Sequence, residues 1–464
     1  MKMNRVLIAA PCSGSGKTSV TVALLHNFIE RGIRVFSVKA GPDYIDPLFH
    51  RVISGVDACN LDTYFTDEKT TCDLLKRDFE NHDLAVMEGV MGLYDGVGGI
   101  LKEGSSYLLA KETKTPILLV VNAKGAGKSL VAQIMGLKMY DTEGLIRGIF
   151  LNRVSEKYYQ VLKPCIETET GIRVVGFLPE MKDVTLGSRH LGLVTPDEID
   201  NIQRIAQILS DEVSKHADMD AIFEIAGHAE DFQDEEINEV AKKTDSAKDV
   251  DSAKKCVIAV SKDEAFQFLY EENLRLLKDL GAEIKFFSPI RDKSIPEDAD
   301  ALILCGGYPE LYLEKLCGNR DMTESIRRQY EKHMPMVAEC GGFLYLHKSI
   351  SDMNGISYPG VGIVDADCRY TGKSVRFGYV EIKEKEPYFL ANKNAIKGHE
   401  FHYYESDSNG SNCVAEKPFD HSRYECIHTN PYSWFGFAHL YYPSNPDFAK
   451  SFVRKALDYK KRKE

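Results

Sequence analysis

The stretch Pro11-Cys12-Ser13-Gly14-Ser15-Gly16-Lys17-Thr18 decides the fold of the first half of this chain. An apolar run over residues 5–10 precedes it and predicts a buried strand. Apolar residues at helical spacing follow it and predict a helix over residues 19–31. A strand, a glycine-rich turn, Gly-Lys-Thr and a helix form the context of a phosphate-binding loop, here with Pro11 in place of the usual first glycine. The pattern predicts a site for a nucleoside triphosphate.

The residue types in this loop suit the binding of phosphate. Gly14 and Gly16 let backbone N–H groups close around an anion, and the helix N-terminus adds positive potential. Lys17 can reach the β- and γ-phosphates, and the Thr18 hydroxyl can ligate Mg²⁺. The expected ATP-binding residues of the loop are Ser13, Gly14, Ser15, Gly16, Lys17 and Thr18.

The composition limits the class of protein. The chain has 464 residues, enough for two or three domains, and 43% apolar and 28% charged residues are ordinary for a globular protein. A formal net charge of −12 disfavours nucleic acid or an anionic membrane as the main partner. The eleven cysteines occur without a C-x-x-C pair, which favours a reducing compartment over a disulfide scaffold. We therefore expect a soluble cytoplasmic protein; the oligomeric state is open.

Four acidic side chains follow predicted strands of the first half. Asp43 and Asp46 lie in a Gly/Pro-rich loop after the predicted strand 33–39, and Glu88 and Asp95 follow the predicted strand 84–87. Ligands of open α/β sheets bind at the carboxyl ends of strands. We expect Glu88 and Asp43 to join Thr18 as metal ligands, and Asp46 and Asp95 to hold substrate or intermediate, although turn-forming or capping aspartates are an equal alternative for the first loop.

Further strands are predicted at residues 116–123, 145–152 and 172–178, and isoleucines at helical spacing over residues 199–208 follow the last of them. This alternation predicts a doubly wound parallel α/β sheet. Asn152, at the end of one of these strands, is a candidate for the adenine edge of ATP. Residues 228–255 are dense in charge and repeat Asp-Ser-Ala-Lys, a composition that cannot bury a core. We predict domains at 1–228 and 256–464 joined by a charged linker at 229–255.

The second half carries a candidate cysteine nucleophile. Predicted strands at 256–260, 301–304 and 336–339 start a second α/β domain, and Cys340-Gly341-Gly342 follows the third of them. A cysteine at a sharp strand-to-helix junction exposes its sulfur, and the helix N-terminus favours its thiolate. The N–H of Gly341, with a backbone amide of Gly306 or Gly307, can form an oxyanion hole.

Two histidine-bearing segments follow the cysteine. Gly398-His399-Glu400-Phe401-His402-Tyr403 places Glu400 and His402 on one face of a strand, without the spacing of a helical metal motif. His439 ends an apolar strand near the C-terminus. From position alone, His439 is as consistent with a core histidine as with a catalytic base.

Taken together, these residues resemble the cobyrinate a,c-diamide synthase family over nearly the whole chain apart from the linker. The resemblance is carried by seven motifs in order, at residues 13–18, 41–46, 88–96, 189–193, 306–310, 338–342 and 398–403. It implies an N-terminal ATP-dependent synthetase domain like that of dethiobiotin synthetase. It also implies a C-terminal domain of the class I, triad-type glutamine amidotransferases.

The resemblance also implies the chemistry and the cosubstrates. Cys340 attacks the glutamine amide, with His439 as its base, and ammonia is released. ATP and Mg²⁺ activate a carboxylate of a tetrapyrrole as an acyl phosphate, and ammonia displaces the phosphate. Repetition amidates the a and c acetate side chains of cobyrinate, in cobalamin biosynthesis.

Two alternatives stay open at this point. Family members often have His-x-His where this chain has His439-Leu440-Tyr441, and archaeal relatives that amidate nickel sirohydrochlorin share the architecture, so the macrocycle is undecided. A partner-regulating ATPase switch is an alternative from another class. Such switches carry a lysine near the start of the loop, where this chain has Cys12, and they have no use for a glutaminase.

Overall fold

The computed structural model describes residues 2–181, 188–189, 192–193, 202–232, 255–390 and 394–464. The chain divides into two compact units, Met1–Ile237 and Asn238–Glu464, and the division falls within the predicted linker. Most of that linker, and His190 and Leu191 of the fourth motif, lie outside the described residues. In the described ranges, no helix combines the length and the apolar character needed to cross a bilayer.

The first unit is built on a parallel sheet whose strand order is β3-β2-β4-β1-β5-β6-β7 among the described residues. Its strands are β1 (Arg5–Ala9), β2 (Val35–Ala40), β3 (Ala58–Leu61), β4 (Leu84–Glu88), β5 (Ile117–Asn122), β6 (Ile146–Asn152) and β7 (Arg173–Leu178), with a small hairpin of β8 (Ser188–Arg189) and β9 (Gly192–Leu193). Parallel pairing buries both faces of the central strands, so these strands are continuous apolar runs.

Helices cover the sheet of this unit. They are α1 (Lys17–Glu30), α2 (Ile45–Ser54), α3 (Glu68–Asp78), α4 (Ser106–Glu112), α5 (Lys128–Tyr140), α6 (Glu156–Thr170), α7 (Ile202–His216) and α8 (Met219–Gly227). Side chains that accept hydrogen bonds from free backbone N–H groups fix several starts, as Ser105 does for α4 and Ser155 for α6. The strand order reverses between β1 and β5, which is where a doubly wound sheet binds its ligand.

The second unit has a central sheet of order β11-β10-β12-β13-β23-β22, parallel except for its last pair. Its strands are β10 (Cys256–Ser261), β11 (Ala282–Phe287), β12 (Ala301–Leu304), β13 (Met336–Glu339), β22 (His428–Asn430) and β23 (Ser433–Gly436). Its helices are α9 (Glu271–Asp279), α10 (Leu313–Gly318), α11 (Arg320–Glu331), α12 (Gly341–Tyr345) and α13 (Pro446–Lys463). Trp434 on β23 is fully buried and contacts Phe448 of α13, with 5.1 Å between ring centroids.

Two smaller sheets complete this unit. One contains β14 (His347–Ser351), β15 (Ser357–Pro359), β16 (Val364–Tyr370) and β19 (Tyr404–Ser406). The other is antiparallel and contains β17 (Arg376–Glu384), β18 (Ile396–His402), β20 (Cys413–Glu416), β21 (Arg423–Cys426) and β24 (His439–Leu440). The second sheet matters for function because β18 pairs with β24 and brings His399 beside His439.

The α/β fold class predicted from the sequence is confirmed, but several strands were not predicted, among them β3 in the first unit and β11 in the second. β3 was not predicted, because four residues that include Asn60 show neither the length nor the apolar continuity of the other strands. The predicted start of the linker also contains packed residues. Ala229 and Phe232 are buried, and the Arg5 guanidinium lies 4.3 Å from the Phe232 ring centroid.

Candidate active site

The phosphate-binding loop joins β1 to α1, and the side chain of Asn152 forms a hydrogen bond to its backbone. Gly14 and Gly16 adopt φ of 76° and 99°, a region that favours glycine. The Asn152 Nδ2 donates to the Ser15 carbonyl at 2.8 Å, and a Cβ at position 16 would lie 2.0 Å from that nitrogen. Asn152 therefore supports the conformation of the loop, and its contact with adenine stays a prediction.

Lys17, at the first residue of α1, is largely buried and crosses the site. Its Nζ donates to the Met91 carbonyl at 2.5 Å, and Met91 has a positive φ of 46°. Burial and the nearby Lys39 charge lower the pKa of Lys17. A buried ammonium under repulsion from a second lysine is well prepared to bind phosphate anions.

Glu88, at the end of β4, is completely buried and contacts three other polar residues of this site. Its Oε1 accepts from the Thr18 hydroxyl at 2.6 Å and lies 3.3 Å from the Lys39 Nζ. Its Oε2 lies 2.8 Å from the Nε2 of His50. Burial alone would raise the pKa of Glu88, but the Lys39 charge and the His50 hydrogen bond outweigh burial and hold that pKa well below its ordinary value.

Asp46, in the first turn of α2, forms a buried ion pair with Lys39 of β2. Lys39 is the register partner of Glu88 on the adjacent strand, so one ammonium serves two carboxylates. Burial opposes the charge of Lys39, yet Asp46 and Glu88 raise its pKa above the ordinary value. Burial and the Glu88 charge raise the pKa of Asp46. In this cluster, the buried ammonium of Lys39 offsets the negative charge of the two buried carboxyl groups.

The two remaining aspartates accept hydrogen bonds from backbone N–H groups of their own loops. The Asp43 Oδ1 accepts from the N–H of Ile45 at 2.7 Å and from that of Asp46 at 3.3 Å, at the start of α2. The Asp95 Oδ2 accepts from the N–H of Gly92 at 3.0 Å. Each carboxylate shapes the loop that it belongs to and keeps a second oxygen for other ligands.

Sequence reasoning missed Lys39 and His50 as members of this site. The signal was present for His50, because Asp46 and His50 are four residues apart and therefore lie on one face of α2. Lys39 is the last residue of the predicted strand 33–39, and in the sheet this strand pairs with the strand that ends at Glu88.

In the second unit, Cys340 lies at a sharp junction between β13 and α12. Its φ of 46° and ψ of −104° are unusual for a residue with a Cβ. The Cys340 N–H donates to the Gly436 carbonyl at 2.8 Å, which fixes the bend. A Cβ at Gly342 would lie 2.1 Å from the Leu304 carbonyl oxygen, so this helix start requires glycine.

The other predicted glutaminase residues lie around this junction. A Cβ at Gly341 would be 3.0 Å from the Gly307 nitrogen, so the backbones of the two loops are in close contact. A Cβ at Gly306 would be 2.2 Å from the Cε1 of His439, so the imidazole lies directly on that glycine. The structure thus brings together the loops that carry Cys340, both candidate oxyanion-hole segments and His439.

Burial sets the protonation states at this site. It lowers the pKa of His439 to about 3, assisted by His402, so the imidazole is uncharged at neutral pH. Cys340 is buried, and its thiol pKa is raised by burial and the Glu310 charge and only partly lowered by the Gly341 N–H, so the exposed thiolate expected from the helix N-terminus is not found. Burial also raises the pKa of Glu339 to about 8, which reduces negative charge beside the thiol.

The Gly398–Tyr403 motif forms the wall next to His439. The Glu400 carboxylate accepts a hydrogen bond from the Tyr424 hydroxyl, and the Nδ1 of His402 lies 2.7 Å from the Tyr404 carbonyl. These contacts hold the motif in the sheet beside His439. Tyr441, at the position where family members often have a histidine, is buried, and its ring is edge-on to that of Tyr270 with 5.2 Å between centroids.

Each of the two units matches a known protein family. Residues 6–194 match the CobQ/CobB/MinD/ParA nucleotide binding domain, and residues 257–423 match the CobB/CobQ-like glutamine amidotransferase domain. A cobyrinate a,c-diamide synthase of Thermoplasma volcanium is 37% identical over 475 aligned residues that cover 100% of both chains. The chain belongs to the cobyrinate a,c-diamide synthase family.

Other members of the family are similarly related. Proteins of the same name from Listeria innocua and Caldanaerobacter subterraneus are 37% and 36% identical. The alignments cover 89% of each chain for the first and 94% of this chain and 95% of the relative for the second. As a member of this family, the chain is an ATP-using, glutamine-hydrolysing ligase, and the family predicted from its motifs is confirmed.

Proposed function

We propose that this ligase amidates the a and c acetate carboxylates of cobyrinate, using ATP and glutamine, through acyl phosphate intermediates. The observation that carries this proposal is the full-length similarity to relatives named for that reaction. The two clusters of buried functional groups in one chain support it, because amide formation from a carboxylate needs both a phosphoryl donor and a source of ammonia.

In the proposed glutaminase step, the Cys340 sulfur attacks the side-chain amide carbon of glutamine after its proton passes to neutral His439. The oxygen of the tetrahedral intermediate is stabilised by the Gly341 N–H and by a backbone amide of Gly306 or Gly307. Collapse breaks the carbon–nitrogen bond, with the His439 proton going to the leaving ammonia. Water then hydrolyses the thioester, releases glutamate and restores the thiol.

In the proposed synthetase step, a carboxylate oxygen of the macrocycle attacks the γ-phosphorus of ATP and ADP leaves. Lys17 and the N–H groups of the loop neutralise charge on the transferred phosphoryl group. Ammonia attacks the carbonyl carbon of the acyl phosphate, and inorganic phosphate leaves with the former carboxylate oxygen. The product is an amide, and a second round acts on the second acetate.

The residues at this site fit Mg²⁺, which the family implies. The Thr18 Oγ1 and the Glu88 Oε1 lie 2.6 Å apart, and hydroxyl and carboxylate oxygens are ligands that Mg²⁺ prefers. Thr18 and Glu88 would hold the ion, and Asp43 is a further candidate. When bound, Mg²⁺ supplies positive charge to the transferring phosphoryl group.

Amidation assays with two macrocycles test the proposal. Purified protein is given ATP and glutamine with cobyrinate or nickel sirohydrochlorin, and the two carboxyl-to-amide conversions are followed by mass spectrometry. We expect diamidation of cobyrinate, its loss in Lys17→Ala, and its recovery with free ammonia in Cys340→Ala. Diamidation of nickel sirohydrochlorin alone would reassign the substrate, and amidation of neither would contradict the proposal.

A further inference from the structure

His50 contacts Glu88, one of the two residues proposed to hold Mg²⁺. Its side chain is fully buried on α2, with the Nε2 2.8 Å from the Glu88 Oε2 and the Nδ1 2.8 Å from the Ser37 hydroxyl. Glu88 directs its other oxygen to Thr18. Four elements, β2, α2, β4 and α1, are thereby joined through one imidazole and one carboxylate.

The hydrogen-bond chemistry fixes the direction of this chain of contacts. An ionised carboxylate only accepts, so the Nε2 of His50 must carry the proton that it donates to Glu88. The Nδ1 on the other side of the ring lies 2.8 Å from the Ser37 hydroxyl, which can donate or accept, so both ring nitrogens have a hydrogen-bond partner. Glu88 therefore requires the proton on the Nε2 of His50, and the contact of the Nδ1 with Ser37 holds the ring so that it fixes the rotamer of Glu88.

We propose that His50 is a positioning residue that fixes the Glu88 carboxylate so that its Oε1 faces Thr18 and the metal of ATP. This inference rests on the proposed function, in which Thr18 and Glu88 hold Mg²⁺. Hydrogen bonds to the ligands of a metal orient them, and their removal typically costs about 10–100-fold in metal affinity. Without the Nε2 donor, the carboxylate can turn toward Lys39, whose Nζ already lies 3.3 Å from the Oε1.

The arrangement also connects the metal site with the Asp43–Asp46 loop. α2 carries Asp46 and His50 one turn apart, so the helix that contributes Asp46 to Lys39 also contributes His50 to Glu88. A shift of α2 would disturb both contacts together. His50 thus makes the geometry of the metal ligand depend on the position of the loop that we expect to hold substrate.

Two variants of similar size separate positioning from packing. In His50→Gln the side-chain amide nitrogen takes the place of the Nε2 and can donate to Glu88, whereas in His50→Asn it takes the place of the Nδ1 and reaches only Ser37. Both variants lose the ring, so a purely structural role would affect them alike. Ser37→Ala, which removes the hydrogen bond to the Nδ1 of the imidazole, should give an intermediate loss.

The test is Mn²⁺ binding, followed by electron paramagnetic resonance, to the full chain with a non-hydrolysable ATP analogue. We expect His50→Asn to weaken Mn²⁺ binding about ten-fold and to raise the Mg²⁺ concentration for half-maximal ATP turnover equally, with His50→Gln near wild type. Thermal unfolding of all variants and their glutaminase activity report whether they fold.

The outcomes distinguish the inference from the proposed function. Equal Mn²⁺ affinity in wild type and His50→Asn, with Glu88→Gln strongly weakened, would overturn the role of His50 and leave the metal site intact. An equal loss in both His50 variants would also overturn it, as a packing effect. Failure of the wild type to bind Mn²⁺ with the nucleotide would contradict the proposed metal site itself.

Discussion

Cys340 occupies a backbone conformation that suits glycine and not cysteine. Its φ of 46° and ψ of −104° should cost about 1–3 kcal/mol for a side chain with a Cβ. We predict that Cys340→Gly is more stable than Cys340→Ala by about 1 kcal/mol, after allowing for the greater unfolded-state entropy of glycine. Both variants lose the sulfur, so they differ only in the Cβ.

Trp434, the single tryptophan of the chain, reports this difference because it is buried in the core of the second unit. Urea unfolding of the two variants, followed by its fluorescence, gives the comparison. An alanine variant as stable as the glycine variant would show that the junction stores no strain.

The protonation states of Cys340 and His439 predict the pH dependence of glutamine hydrolysis. Burial lowers the pKa of His439 to about 3, so the imidazole remains a free base throughout the assay range, whereas the pKa of the thiol is raised. We expect kcat/KM for glutamine to change little from pH 6 to 9, because the neutral thiol and the free-base imidazole are both present throughout that range. An inflection near the ordinary histidine pKa of about 6.5 would contradict this assignment.

Local sequence patterns predicted some site residues and could not predict others. The loop from Ser13 to Thr18 is recognisable because its conformation depends on neighbouring residues along the chain. The contact between His50 and Glu88 spans 38 positions and depends on the order of strands and the placement of α2. Asn152 was found by its position at a strand end, but its contact with Ser15 requires the packed sheet.

At the scale of elements, the start of α12 depends on close approach of two backbones. A Cβ at Gly342 would lie 2.1 Å from the Leu304 carbonyl, whereas one at Gly318, at the end of α10, would have no heavy atom within 4 Å. We predict that Gly342→Ala destabilises the second unit by about 1–3 kcal/mol and abolishes glutaminase activity. Gly318→Ala should change stability by no more than about 1 kcal/mol.

Urea unfolding with tryptophan fluorescence and a glutaminase assay measure both effects. Wild-type activity in Gly342→Ala would mean that the bend tolerates a shift of β12. A loss in Gly318→Ala as large as that in Gly342→Ala would mean that the close approach is not the cause.

At the scale of the molecule, buried neutral histidines should make the second unit labile to acid. Burial lowers the pKa of His347 and His402 to about 4 and that of His439 to about 3. In the unfolded chain these groups titrate near 6.5, so the unfolded state binds more protons below that pH, and stability falls as pH decreases from about 6.5 to 4. Each should cost about 2 kcal/mol between pH 7 and pH 5.

Urea unfolding at pH 7 and pH 5, followed by Trp434 fluorescence, measures this loss. We expect a clearly lower midpoint at pH 5. An unchanged midpoint would contradict burial of these histidines in the neutral form.

The sequence predicted the two α/β units of the molecule but not all of their strands. Alternating strands and helices, the Gly-rich loop and the Cys340 junction predicted two α/β units, because each depends on local spacing. The strand β3 was missed because its four residues are short and include Asn60. The antiparallel sheet that carries His439 could not be predicted, because its pairing joins distant segments such as β18 and β24.

The most direct measurement of the central claim is the stoichiometry of the complete reaction. ADP, glutamate and new amide are quantified together with cobyrinate as substrate, in wild type, Lys17→Ala and Cys340→Ala. We predict equal amounts of the three products in wild type, no amide in Lys17→Ala, and amide formation only with added ammonia in Cys340→Ala. ATP hydrolysis that is indifferent to glutamine and to the macrocycle, with no amide formed, would contradict the account and favour an ATPase switch.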